Sequence, residues 1–190
     1  GLVTFAAAVA LATLAWTGHG AMDEGTVGWL HLGADILHLL ASGAWVGALL
    51  GLVLLVARPI DRIDAAHLRL THRALHGFGL VGTLLVGTIV VTGLANAWLL
   101  VGFANLLRLP STLYGQLLIA KLALFGAMLG LASLNRFRLT PAFEHAIAAA
   151  DHRGAVRALR RSLAVEAGCA VTILALVAWL GTLEPPASTM

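Results

Sequence analysis

Apolar positions gather into five long runs, at about residues 1–17, 28–57, 74–101, 114–136 and 162–183. A helix needs about 20 residues to cross a bilayer, and these runs are near or above that length. The second and third exceed it, so they are expected to tilt or to project beyond the lipid. Segment 141–161 follows another pattern. Phe143, Ile147, Val156 and Leu159 alternate there with charged residues, as in short amphipathic helices lying on a membrane surface. Thr140-Pro141 suits a helix start, a cap followed by proline at the first helical position. Asp151-His152-Arg153-Gly154 suits a break between two such helices.

Composition supports the same class. The chain is 59% hydrophobic and 11% charged, with mean hydropathy +0.92. An ordinary soluble domain carries about 25% charged residues. The single Cys169 excludes an internal disulfide and any CxxC metal site. The net charge of +3 would suggest a nucleic-acid partner in a soluble protein. Here most basic residues lie in two segments, and topology accounts for them without nucleic acid.

Charge alternates along the loops. Loop 58–73 carries Arg58, Arg62, Arg69 and Arg73, and segment 136–161 carries Arg136, Arg138, Arg153, Arg157, Arg160 and Arg161. Segment 18–27 has Asp23 and Glu24 and no Lys or Arg, and loop 102–113 has only Arg108. The positive-inside rule puts the Arg-rich segments in the cytoplasm, the N-terminus inside and the C-terminus outside. Trp16, Trp29, Trp98, Tyr114 and Trp179 then form a belt near the outer surface. The expected fold is an all-α polytopic membrane bundle of five transmembrane helices and a cytoplasmic-side amphipathic segment, one domain over 1–190. The first run lacks a preceding basic region, and Ala12-Thr13-Leu14 is a poor cleavage site. A signal peptide is therefore not expected, and the chain is expected to continue from an upstream region.

The second run holds the chemistry. His31, Asp35 and His38 are spaced i, i+4, i+7, within about 60° of one helix face. Ionisable groups at membrane depth are costly unless they are paired, wetted or bound to an ion. Imidazole and carboxylate also ligate Cu, Zn, Ni or Fe. His38 lies roughly 10 Å deeper than His31, Asn96 about 7 Å below the outer end of the third helix, and Lys121 about 10 Å below Tyr114. Asp35, His38, Asn96 and Lys121 are thus expected in one layer, with His19 and Met22 nearby in the outer loop. One reading is a metal site open to the outside, built from His19, His31 and His38 with Asp35 or Met22. The other is a polar knot of Asp35, Asn96 and Lys121 that locks helices together.

Other polar positions read as structural. Glu166 is expected to pair with Arg160 or Arg161, and Arg136 suits the end of the fourth helix. His67, His72 and His76 fall near the inner surface, and Cys169 suits a packing role. Gly43, Gly47 and Gly51, and likewise Gly126 and Gly130, recur every fourth position and suit close helix approach.

The run Ala34-Asp35-Ile36-Leu37-His38-Leu39-Leu40-Ala41-Ser42-Gly43-Ala44-Trp45-Val46-Gly47 resembles a helix characteristic of the copper resistance protein D (CopD) family. Thr92-Gly93-Leu94-Ala95-Asn96, Thr112-Leu113-Tyr114-Gly115-Gln116-Leu117-Leu118 with Lys121-Leu122, and Asn135-Arg136 extend the resemblance. Thr17-Gly18-His19 and Leu180-Gly181-Thr182-Leu183 with Pro185-Pro186 also fit. The resemblance implies a bacterial inner-membrane protein that takes up or supplies copper from the periplasm. It implies a periplasmic copper-binding partner of the CopC type, or a fused domain of that kind. It also implies that this chain is the C-terminal part of a longer protein.

Three functions then compete. The first is copper import or delivery, with capture by His19, His31 and His38 and Met22 as a soft ligand. The second is a b-type haem electron carrier, which needs two histidines at matching depth on facing helices. The third is an assembly module that binds copper without net flux. No nucleophile–base pair or phosphate loop points to an enzyme.

Overall fold

The computed structural model describes residues 1–17, 25–59, 63–101, 109–149 and 153–183. His19 and Met22 lie outside the described residues. All regular structure described is helical: α1 (Leu2–Leu14, continued by a 3-10 turn Ala15–Thr17), α2 (Gly25–Val56), α3 (Ala65–Val101), α4 (Leu113–Leu134), a π-turn (Asn135–Leu139), α5 (Thr140–Ala148) and α6 (Arg153–Leu180).

Among the described residues, four helices are long and apolar enough to cross a membrane: Gly28–Val56, Ala65–Val101, Leu113–Ile147 and Arg153–Leu180. Leu80, Leu84, Val91, Leu94, Val171 and Leu174 turn outward on α3 and α6. Exposed apolar surface on that scale belongs against lipid. With 13 residues, α1 is shorter, about 20 Å long.

The described contacts form two compact units. One comprises Gly1–Trp45, Leu84–Ala120 and Leu176–Met190, the other Val46–Thr83 and Lys121–Ala175. Within the second, Leu49, Leu52 and Val56 of α2 continue a stripe at helical spacing that the core buries. Val56, Leu68, Phe143, Val156 and Leu159 line one small cavity.

That packing corrects the reading of segment 141–161. Phe143 and Leu159 are 1% and 0% exposed, so the amphipathic face lies against the protein's own core. Thr140 does not cap a new helix. Its dihedrals are helical, and its hydroxyl donates to the Asn135 carbonyl at 2.9 Å. The chain runs from α4 through the π-turn into α5. Proline lacks an amide proton and crowds the carbonyl four residues back, here Phe137, and the widened turn lies at that place. Residues from Arg153 onward are already the first turns of α6.

Two arginines tie helix ends. The Arg160 guanidinium donates to the carbonyls of Val56 and Arg58, groups that the end of α2 leaves without helical partners. Arg136 donates to the Gly79 carbonyl at 2.6 Å and to the Thr83 hydroxyl. Glu166 therefore does not pair with Arg160. Arg160 and Arg161 point about 120° and about 140° round the helix from it. Glu166 instead accepts a hydrogen bond from Asn135 Nδ2 at 2.9 Å.

The glycine stripes are used less than their spacing suggested. A Cβ on Gly43 would lie 2.5 Å from Leu11 Cδ1, so α1 does approach α2 there. Gly47, Gly51, Gly126 and Gly130 face open space, since those stripes point away from the chain's own helices.

α3 begins nine positions before the expected run because Asp64 caps it. Asp64 Oδ1 accepts the His67 amide at 2.7 Å. The His67 ring donates from Nε2 to the Leu55 carbonyl at 2.8 Å, leaving Nδ1 to accept from Arg58 at 3.4 Å. The His67 amide holds the Asp64 carboxyl below its ordinary value, with Arg58 adding to the effect. A carboxyl depressed by folding stabilises fully above its unfolded pKa, about 3.9, and loses that contribution as pH falls through the folded value. Asp64→Ala should lower the melting temperature at neutral pH, and the difference should close on acidification. An equal gap at acid pH would show that the carboxylate is not the capping group.

Candidate metal centre

The first unit brings two polar stripes together. α2 supplies His31, Asp35 and His38, and α3 supplies Thr88, Thr92 and Asn96 at every fourth position. The two helices run antiparallel, so position numbers rise along one as they fall along the other. Asp35 thus meets Asn96, and His38 meets Thr92.

Asn96 Nδ2 donates to Asp35 Oδ1 at 3.1 Å. Among the described residues, Asn96 Oδ1 is buried and without a partner. His38 Nδ1 lies 3.0 Å from Thr92 Oγ1, and the same hydroxyl donates to the Thr88 carbonyl at 2.6 Å. A hydroxyl has one proton to give. The network therefore assigns His38 Nδ1 as donor to Thr92 and puts the imidazole lone pair on Nε2. The ring rests over Gly93, where an added Cβ would stand 3.3 Å from His38 Cε1. The Thr92 hydroxyl and the bare Gly93 backbone together fix the imidazole's orientation, as the hydrogen-bond partner of a metal-ligating histidine does.

His31 is 2% exposed, while Asp35 and His38 are half-buried. His31 and His38 are roughly 10 Å apart along the axis, too far to bind one ion at metal–nitrogen distances of about 2 Å. Among the described residues no three His, Cys, Asp or Glu side chains converge on a metal position. Of the expected set, His31, Asp35 and His38 share one face of α2, and His19 and Met22 lie outside the described residues. Lys121 is half-buried and belongs to the second unit.

The supporting role of Thr92 was not anticipated from the residues. Its trace in the sequence is the Thr88, Thr92, Asn96 period on an otherwise apolar run. The turn leading into α4 is built as tightly. Thr112 Oγ1 accepts the Gly115 amide at 3.0 Å, and Gln116 Nε2 donates to the Pro110 carbonyl at 3.1 Å.

Residues 72–180, more than half of the chain, match the copper resistance protein D family. The chain belongs to that family. Residues 1–29 match the N-terminal domain of copper resistance protein D-like proteins. Over 184 residues the chain is 48% identical to Copper resistance protein D of Pseudomonas syringae pv. tomato, covering 97% of this chain and 59% of that protein. It is 29% identical to Inner membrane protein YebZ of Escherichia coli (strain K12), over 90% of this chain and 55% of that one. It is 36% identical to Copper transport protein CutJ of Bacillus subtilis (strain 168), over 66% of this chain and 22% of that one. The chain thus spans less than two thirds of the length of these relatives. No solved structure matches it. His31, Asp35 and His38 fall between the two matched segments, so their role is argued from geometry.

Proposed function

We propose that this chain is the copper-handling part of a bacterial inner-membrane protein that captures copper ions at the periplasmic face and passes them inward. The observation that carries this is His38, whose Nδ1 is held by Thr92 so that Nε2 bears the lone pair. A ring oriented in this way at membrane depth is built to hold a cation or to relay one. The names of the relatives, copper resistance and copper transport, support copper as the substrate. His and carboxylate donors suit Cu(II), whereas Cu(I) prefers more sulfur.

In this reading His31, with His19 and Met22, forms an outer station, and His38 beside Asp35 forms a deeper one. The chain is one domain over 1–190, with α1 as a fifth span and α5 on the cytoplasmic side. The N-terminus is inside and the C-terminus outside. A CopC-like periplasmic protein or fused domain delivers copper to the outer station. The role is not enzymatic. The two described histidines of the first unit stand on one helix, not as the facing pair that bis-imidazole haem needs. The hydrogen bonds of Asp35 and His38 also lock α2 to α3, which is what a non-transporting assembly module would use.

Two measurements on the intact protein in cells test this reading. Cells that express it should accumulate more copper than cells that lack it. A cysteine reagent that cannot cross the membrane should label Asp23→Cys and spare Arg62→Cys. Equal copper contents, or the opposite labelling, would reject capture from the periplasm.

A further inference from the structure

The second unit holds a buried polar cluster that the histidine stripe does not use. Glu166 of α6 is 3% exposed, Asn135 of the π-turn 7% and Ser162 of α6 7%. Asn135 Nδ2 donates to Glu166 Oε2 at 2.9 Å. Asn135 Oδ1 and Ser162 Oγ are both buried and have no hydrogen-bond partner among the described residues. Ser162 lies one turn before Glu166, on the same face of the helix.

Two arginines near in sequence are committed elsewhere, and Arg161 points about 140° round the helix from Glu166. Arg136 holds Gly79 and Thr83, and Arg160 holds the end of α2. On α3, His72 faces Glu144 of α5 at 3.7 Å and has His76 at 6.2 Å between ring centroids. Cys169, three residues further along α6, is a half-buried thiol and the nearest other titratable side chain on that helix. Among the described residues no Lys, Arg or His reaches the Glu166 carboxylate.

A carboxylate buried in a membrane helix with one amide donor and no cation is poorly compensated. The cluster also leaves the acceptor Asn135 Oδ1 without a donor and the Ser162 hydroxyl, which can give or accept, unpaired among the described residues. A proton on the carboxyl removes the charge and supplies a donor, and an acid beside a primary amide can exchange two hydrogen bonds with it. The π-turn places Asn135 here, its carbonyl taken by Thr140, and such turns often mark functional positions.

We propose that Glu166, with Asn135 and Ser162, forms a buried proton-binding site that loads and discharges as the pH changes. Loading moves one proton from water onto a Glu166 carboxylate oxygen, and discharge returns it to water. This goes beyond the copper reading and does not depend on the histidines.

Infrared difference spectroscopy of the intact protein in lipid, titrated between about pH 5 and about pH 9, tests the proposal. A protonated-carboxyl carbonyl band should titrate within that range and be lost in Glu166→Gln. Glu166→Asp, which keeps a carboxyl, should move the band. Asn135→Leu, which removes the amide that bonds the carboxyl in either state, should move the midpoint. A band that never titrates, one that survives Glu166→Gln, or a midpoint unmoved by Asn135→Leu would overturn the assignment. Each outcome is read without copper, so it stands apart from the fate of the histidine stations.

Discussion

Cells carrying His38→Ala in the intact protein will lose copper accumulation at every external concentration. His31→Ala will lose it at low copper and recover as copper is raised. The difference follows from position. In the proposed path His31 belongs to the outer station, where a missing ligand weakens capture and mass action can compensate. His38 lies roughly 10 Å further along the helix, and among the described residues α2 carries no second imidazole at that depth. Its orientation depends on Thr92, so Thr92→Val should mimic His38→Ala in weaker form. Loss of an orienting partner typically lowers metal affinity about 10- to 100-fold. Thr92→Ser, which keeps the hydroxyl, should retain most of the function. Equal behaviour of Thr92→Val and Thr92→Ser would mean that the hydroxyl does not set the imidazole.

Gly115→Ala will destabilise the protein more than a change of one methyl ordinarily does. The added Cβ would stand 1.9 Å from the Leu109 carbonyl oxygen and 2.5 Å from its carbon. That obstacle is backbone, pinned by the Thr112 amide and hydroxyl, which both donate to the Leu109 carbonyl at 3.2 Å. It cannot swing aside as a side chain would. Overpacking of this kind costs about 1–3 kcal/mol, and at this contact the upper end is expected. Gly43→Ala is the control. Its Cβ would also be too close, at 2.5 Å, but to the end of the flexible Leu11 side chain. Thermal unfolding in detergent should show a large fall for Gly115→Ala and a small one for Gly43→Ala. Equal falls would show that the turn before α4 is looser than described.

Much of the architecture was legible from hydrophobicity because lipid imposes its own length scale on a helix. The runs at 28–57 and 114–136 differ from α2 and α4 by only a few residues at each end. The starts of α3 and α6 were misplaced because an apolar run marks only the part of a helix that can sit in lipid. The polar first turns of α3 depend on the Asp64 cap, and those of α6 on packing around Val156 and Leu159. Periodicity showed that segment 141–161 had an apolar face but not what covers it, because lipid and a protein core favour the same residues.

At the candidate site, the spacing of His31, Asp35 and His38 was visible because helical geometry is local. Which partners meet them depends on how α2 and α3 are matched across some 60 positions of chain. The pairing of Asp35 with Asn96 and of His38 with Thr92 follows from that match. The fate of Glu166 was hidden for the same reason, since Asn135 reaches it from 31 positions away.

The most direct test is copper bound to the purified intact protein, measured beside the His31→Ala/His38→Ala double variant. Wild type should retain copper through dialysis, and the double variant should lose it from both stations while remaining folded. Each single variant should lose one station. Full copper stoichiometry in a folded double variant would contradict the claim that the α2 histidines hold the metal, and would leave the stripe a purely structural feature of the bundle.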